Sequence, residues 1–201
     1  MDCCHKDACL PQETVRALKW VLYVVFAINA SMFIVELVSG IRAGSNALIA
    51  DSLDMLGDAF VYGLSLFVLA KSNKIQAKAS IVKGAVMLAL GLYVFWETYS
   101  KLINPAVPHA QTITIIGIIA LLANVLCFYL LTRHKDKNIN MKSAWVCSRN
   151  DLYANVSVIA AGLLVGYFNS MWPDILVGIG IAGMVIYFSL QVIKESIKHT
   201  A

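Results

Sequence analysis

The segment that decides the fold is SNALIADSLDMLGDAFVYGLSLFVL, residues 45–69, an apolar run long enough to cross a bilayer that nevertheless contains three aspartates. Asp51, Asp54 and Asp58 are spaced i, i+3 and i+7, so a helix puts them on one face, about 5–6 Å apart between neighbouring Cβ atoms. Each carboxylate placed mid-helix in lipid costs about 2.5–3.5 kcal/mol, and like charges repel. A bound divalent cation offsets both costs, so this face favours a cation path over the alternative, a buried helix of a soluble protein with paired acids.

Composition excludes the soluble alternative. The chain has 201 residues, of which 59% are hydrophobic and only 14% charged, and its mean hydropathy is +0.72. These values are typical of an all-α integral membrane protein. The N-terminus is polar and Cys-rich rather than basic and then apolar, so no secretory signal is expected and the first apolar run should remain as a membrane helix.

Six runs have the length and composition of membrane spans, at residues 18–39, 46–70, 79–102, 113–131, 145–168 and 173–193. Lysine and arginine concentrate before the first span, in the second and fourth connections and after the last span. The positive-inside rule therefore predicts that both termini are cytoplasmic. This distribution also explains the net charge of +4 without a nucleic-acid partner.

A cytoplasmic tail, residues 1–14, is predicted to precede the membrane domain, residues 15–201. The tail holds four soft ligands: Cys3, Cys4, His5 and Cys9. In a reducing compartment they could bind a thiophilic metal, but their spacing matches no closed zinc site, so incidental thiols in a disordered tail are an equal alternative.

Several polar residues in the spans have simple structural interpretations. Glu36 lies near the outer end of span one, where it could meet water or Arg42, so an interfacial anchor and a role in the cation path are both open. Glu97 and Lys101 are spaced for an i, i+4 ion pair at the membrane surface. Asn124 and Cys127 share one face of span four, for which buried packing is expected. The small residues of spans five and six favour close helix packing.

A second polar face occurs on span five, where Cys147, Asp151 and Asn155 recur every four residues. With Asp54 and Asp58 of span two, Cys147 and Asp151 give four potential ligands. Three carboxylates and a thiolate suit tetrahedral Zn²⁺, whereas the sulfur disfavours Mg²⁺ and Ca²⁺. Supporting residues that would orient these ligands are Asp51, Asn150, Asn155 and Ser157.

On these residues the chain resembles the cation diffusion facilitator family of divalent metal transporters. The resemblance covers nearly the whole chain and rests on six spans, on GSNALIADSLDMLGD at residues 44–58, and on Asp151 followed four residues later by Asn155. It implies a transport site with ligands from spans two and five, which fall on Asp54, Asp58, Cys147 and Asp151. The family usually has histidine or aspartate at the position of Cys147.

The resemblance further implies efflux of a divalent transition metal in exchange for protons, by alternating access, in a homodimer without a prosthetic group. Zn²⁺ is the expected cation, with Cd²⁺, Fe²⁺ and Co²⁺ as alternatives, and the bacterial inner membrane is the expected location. Most members carry a cytoplasmic metal-binding domain after span six. Because the sequence ends at Ala201, a short form that dimerises through its membrane helices is expected.

Two other classes of function remain as alternatives. One is a metal-dependent membrane enzyme that holds its metal with aspartates on membrane helices. Such lipid-headgroup transferases use a longer motif with Asp-Gly and Ala-Arg elements that this sequence does not have. The other is a metal sensor or partner subunit that does not itself transport, for which the Cys-rich tail would be suited.

Overall fold

The regular structure is entirely α-helical within the residues that the computed structural model describes, which are 12–68, 73–134 and 139–198. The predicted all-α class is thereby confirmed. Six helices follow one another along the described chain: α1 (Gln12–Ala43), α2 (Asn46–Val68), α3 (Asn73–Ile103), α4 (Ala110–Thr132), α5 (Ile139–Phe168) and α6 (Trp172–Lys198).

Each predicted span lies inside one helix, except that residues 69 and 70 at the end of span two are outside the described ranges. Several helices extend well beyond the apolar segments: α1 begins at Gln12, α3 at Asn73 and α5 at Ile139. Helical hydrogen bonding therefore continues past the apolar segments into polar sequence.

The α1–α2 hairpin is closed by two glycines that act differently. Gly44 has φ +61°, a conformation that L side chains rarely adopt, and the next residue, Ser45, donates its N–H to the Gly40 carbonyl at 2.8 Å. Gly40 provides space, since a Cβ there would lie 2.9 Å from Ile49 Cγ1 and 3.0 Å from its backbone nitrogen. The two helices consequently pack backbone to backbone just before the turn.

The α1–α2, α3–α4 and α5–α6 connections lie together at one end of the bundle, called the hairpin end below. His109, before α4, donates its N–H to the Ala43 carbonyl in the α1–α2 turn at 3.0 Å. Ser45, in the same turn, donates its hydroxyl to Asp174 at the start of α6 at 2.5 Å. The chain therefore passes up and down through one bundle.

The outward faces of the helices are apolar. Large side chains that are more than half exposed include Trp20, Ile34, Leu122, Leu163 and Leu176. Of the six described helices, five contain segments long and apolar enough to cross a membrane: Arg16–Ala43, Gly84–Ile103, Ala110–Thr132, Ser148–Phe168 and Trp172–Gln191. Helix α2 has 23 residues, and its three aspartates are what separate it from the others in composition. The molecule is a multi-pass integral membrane protein.

Candidate metal site

The three aspartates of α2 share one side of the helix but differ in their surroundings. Asp54 and Asp58 line a cavity of about 870 Å³ between α2, α3, α5 and α6. Asp51, one turn nearer the hairpin end, is buried inside the bundle and is 1% exposed. The polar face predicted from their spacing is therefore divided between a cavity wall and the interior.

Helix α5 brings its own polar residues to the same cavity. Asp151 and Asn150 line it together with Ser157, whereas much of the remaining wall is apolar and includes Met87 and Met184. The structure thus brings three of the four ligands predicted from sequence, Asp54, Asp58 and Asp151, to one chamber.

Asp58 and Asp151 form the closest link between the two helices at this site. They lie within reach of a side-chain hydrogen bond to each other. Tyr62, fully buried one turn along α2, donates its hydroxyl to Asp58 Oδ2 at 2.5 Å. Because two carboxyl groups can hydrogen-bond only through a proton, this pair has the chemistry to hold either a proton or a cation between them.

The fourth predicted ligand, Cys147, lies in α5, but its side chain is outside the described structure. In this conformation, no group of three or more His, Cys, Asp and Glu side chains is close enough to hold a metal ion among those that are described. The carboxylates share a cavity without converging on one point, so a complete ligand set requires side-chain or helix movement.

The residues predicted to support the ligands have different neighbours. Asn155 is buried and donates its amide to the Asp151 carbonyl at 2.8 Å, so it contacts the backbone of a ligand rather than its carboxylate. Ser157 donates to the Tyr153 carbonyl at 2.9 Å, and Asn150 is exposed at the cavity wall. The tail residues Cys3, Cys4, His5 and Cys9 lie outside the described residues.

Of the two interpretations of Glu36, the interfacial anchor is wrong. Its side chain is 0% exposed, and within the described ranges neither carboxylate oxygen has a hydrogen-bond partner; the same holds for Asp51. The close α1–α2 contact at Gly40 turns this face of α1 towards α2 rather than towards water. Arg42, by contrast, is exposed.

The surface ion pair predicted for Glu97 and Lys101 is also wrong. Lys101 is 6% exposed and pairs with Asp174, with 3.2 Å between Nζ and Oδ2. Asp174 also accepts the backbone N–H groups of Asn46 at 2.8 Å and Ala47 at 3.2 Å. This carboxylate therefore caps the N-terminus of the aspartate-bearing helix and joins α2, α3 and α6 at the hairpin end.

Sequence reasoning missed the role of Asp174. The available signal was that a lysine ends one predicted span and an aspartate begins another on the same side of the membrane. Charges placed at equal depth in apolar helices are expected to find each other, because either one alone would be costly.

Carboxylates from two membrane helices around one internal cavity are the arrangement expected of a membrane protein that binds cations. The cation efflux transmembrane domain matches residues 22–199, and the chain belongs to this family, as its resemblance to cation diffusion facilitators implied.

Among similar proteins, the zinc transporter ZitB of Pectobacterium atrosepticum is 29% identical over 191 residues, covering 89% of this chain and 60% of the relative. A cadmium, cobalt and zinc/H(+)-K(+) antiporter of Bacillus subtilis is 28% identical, covering 90% of this chain and 63% of the relative. The metal cation efflux system protein CzcD of Cupriavidus metallidurans is 22% identical, covering 94% of this chain and 62% of the relative. The chain thus spans somewhat over 60% of the length of these relatives.

Proposed function

We propose that the chain moves a divalent transition-metal cation across a membrane in exchange for protons, with Zn²⁺ as the expected cation and Cd²⁺, Co²⁺ or Fe²⁺ as alternatives. The observation that carries the proposal is the meeting of Asp58 and Asp151, from different helices, at a cavity that also exposes Asp54. The naming of similar proteins as zinc transporters and as a cadmium, cobalt and zinc antiporter supports it. On this proposal the chain is a carrier and not an enzyme.

The transport site consists of Asp54, Asp58, Cys147 and Asp151. Hard carboxylate oxygens and a thiolate together suit Zn²⁺ and its softer neighbours better than Mg²⁺. The three described carboxylates share the cavity without forming a complete metal-binding group in the present conformation, which supports a site that closes around the cation during the transport cycle.

Exchange follows from competition at one site. The ligands must lose protons to bind a metal, so a metal arriving at Asp58 and Asp151 displaces protons, and protons arriving from the other side displace the metal. If the bundle opens alternately to the two sides, each cycle moves metal one way and protons the other.

The proposed topology has six spans, with α2 as the sixth, and both termini in the cytoplasm. The proposal for α2 rests on its 23 residues and on its contacts with the five apolar helices. The proposal for the termini rests on the lysines and arginines concentrated in sequence at the end opposite the hairpin end. The expected membrane is the inner membrane of a bacterium, and the tail cysteines are proposed to collect metal there.

A homodimer is the proposed assembly, formed through the membrane helices. One small residue of the described α6 outside the cavity wall, Gly183, has no atoms within 4 Å of where a Cβ would lie, so close approach by a second copy is possible there. Light scattering should give twice the 22.0 kDa chain mass after subtraction of bound detergent. A mass of one chain in protein that transports at the normal rate would refute the dimer.

The decisive test of transport is metal flux into sealed liposomes that contain the purified protein, with an imposed pH gradient. We expect Zn²⁺ to move in the direction opposite to the protons, and we expect this flux to stop when the pH gradient is collapsed. Metal binding without flux would instead favour a sensor or partner subunit.

A further inference from the structure

A group of buried polar side chains lies on the α1–α4 side of the bundle and has no part in the proposed site. It comprises Asn29 of α1, Asn124 and Cys127 of α4, and Ser148 of α5, each about 1% exposed. The described lining of the cavity comes from α2, α3, α5 and α6. This group, called the polar compartment below, is therefore separate from the cavity wall.

Helix packing puts the polar compartment at the depth of the paired carboxylates. A Cβ at Gly117 of α4 would lie 3.0 Å from Ile159 Cγ1 and 3.4 Å from Val158 Cγ1 of α5. Because α4 and α5 run in opposite directions, two helical turns further along α4 correspond to two turns back along α5. This register sets Asn124 opposite Asp151.

Cys127 also lies near Asp58, the other carboxylate of the pair. It belongs to the same buried cluster as Tyr62, which donates its hydroxyl to Asp58. The thiol is within electrostatic range of both Asp58 and Asp151. Its position on the single buried stripe of α4, together with Asn124, directs it into the bundle.

The polar atoms of the compartment are poorly satisfied. Asn29 donates its amide to the Val25 carbonyl at 2.9 Å and to Cys127 Sγ at 3.8 Å. Within the described residues, however, Asn29 Oδ1, both polar atoms of Asn124 and Ser148 Oγ have no hydrogen-bond partner. Buried polar groups without partners are costly and are usually explained by an unseen ligand or water.

We propose that the polar compartment is a second metal subsite, selective for soft divalent cations such as Cd²⁺ and Zn²⁺. Cys127 supplies a thiolate, Asn29 and Asn124 supply amide oxygens, and Asp58 or Asp151 is shared with the transport site. When the metal binds, the thiol proton passes to whichever of Asp58 and Asp151 does not hold the metal, and both of these carboxylates line the cavity. Rotation of Cys127 away from Asn29 brings the sulfur to the metal, consistent with a subsite that is not closed in the present conformation.

The subsite deepens the proposed function, on which it rests, by assigning metal preference to α4. Sulfur binds Cd²⁺ and Zn²⁺ strongly and gives little advantage to Mn²⁺ or Mg²⁺. A cation held between Asp58 or Asp151 and Cys127 is therefore selected by softness, whereas the carboxylates alone select mainly by charge.

The test uses full-length protein in detergent, with Cys3, Cys4 and Cys9 replaced by serine so that only Cys127 and Cys147 remain. Cd²⁺ is titrated and the ultraviolet sulfur-to-metal charge-transfer band is recorded. We expect Cys147→Ser to retain a band and the added Cys127→Ser substitution to remove it. A band that disappears with Cys147→Ser alone, when Cys127 is the one thiol left, would overturn the proposal.

A second variant tests the subsite without replacing Cys127 or Cys147, so that its result does not depend on the folding of the cysteine variants. Asn124→Ala should weaken Cd²⁺ binding about tenfold, as loss of supporting contacts at metal sites commonly does, and leave Mn²⁺ binding within about twofold. Equal effects on both metals, or none, would overturn the subsite. Both experiments measure binding and not transport. A thiolate band in protein that shows no liposome flux would refute only the transport proposal. Liposome flux in protein that shows no thiolate band would refute only the subsite.

Discussion

At the scale of single residues, the paired carboxylates Asp58 and Asp151 are the centre of the proposed exchange. Each is mostly buried in a helix of a membrane protein, and each lies within hydrogen-bonding reach of the other. Alone in lipid, either would be costly to ionise. Together they can hold a proton or a metal, which explains why two otherwise apolar helices carry them.

The first prediction is that Asp58→Asn and Asp151→Asn each reduce Zn²⁺ flux in liposomes by at least about tenfold without loss of folded protein. Asparagine keeps the shape of aspartate but cannot exchange a proton for a metal. Ser31→Ala is the matched control, because the Ser31 hydroxyl is exposed and donates only to its own helix, at 2.7 Å from the Ala27 carbonyl. Normal flux in either aspartate variant would remove that residue from the site.

The second prediction concerns Cys147, where the sequence departs from its family. Cys147→Asp should weaken Cd²⁺ and Zn²⁺ transport relative to Mn²⁺, because a thiolate is replaced by a hard oxygen ligand. Cys147→His should retain Zn²⁺ and lower the preference for Cd²⁺. Flux assays with the metals side by side measure both effects. If Cys147→Ser and Cys147→Ala leave rates and metal ranking unchanged, Cys147 is only a small packing residue.

At the scale of helices, the position of α2 depends on contacts at the hairpin end. Asp174 of α6 accepts N–H groups from the first turn of α2 and pairs with Lys101 of α3. Asn46 adds a hydrogen bond from its amide to Thr98 Oγ1 at 2.6 Å. These contacts fix the end of the helix whose next turns carry Asp51, Asp54 and Asp58.

The third prediction is an order of stabilities. Asp174→Ala removes the charged partner of buried Lys101, which keeps its bond to the Gly44 carbonyl, and leaves two α2 amides without their acceptor. Removing one partner of a buried pair costs about 3–5 kcal/mol. Lys101→Ala should cost less, since Asp174 keeps three other donors, the Ser45 hydroxyl and the N–H groups of Asn46 and Ala47. Glu97→Ala, the control, should change little. Thermal unfolding in detergent measures the order, and a Glu97 effect as large as that of Asp174 would restore the ion pair predicted from sequence.

The fourth prediction concerns the contact of α6 with α2. A Cβ at Gly178 would lie 2.7 Å from the backbone carbonyl carbon of Asn46, so Gly178→Ala forces the helices apart at a cost of about 1–3 kcal/mol. Gly166→Ala in α5 is the matched control, because a Cβ there would meet only Ala110 Cβ at 3.4 Å, an ordinary contact, and it should be neutral or stabilise by up to about 1 kcal/mol. The midpoints of thermal unfolding of the two variants measure the difference. Equal midpoints for both variants would show that α6 does not need Gly178 to approach α2.

The sequence predicted those features that depend on local periodicity. The spans and the polar faces of α2 and α5 follow from spacing along one helix, which is fixed at 3.6 residues per turn. Burial of Glu36 and the partner of Lys101 depend on which helices are neighbours. Lys101 and Asp174 are 73 residues apart, and a shorter-range partner, Glu97, was equally compatible with the spacing.

At the scale of the whole molecule, the bundle encloses its polar groups and presents apolar side chains outward. A cavity of about 870 Å³ adjoins the carboxylates from α2 and α5, and the polar compartment adjoins them from the α1–α4 side. On the proposed function, metal and protons have one common meeting point, at Asp58 and Asp151. The central claim is that they compete there.

The most direct test of that claim is the number of protons released when Zn²⁺ binds, measured by titration calorimetry in buffers with different ionisation enthalpies. We predict that the protein releases about one or two protons per Zn²⁺, and that this release falls in Asp58→Asn and Asp151→Asn but not in Ser31→Ala. Zn²⁺ binding without proton release, or release that is unchanged in both aspartate variants, would contradict exchange at this pair.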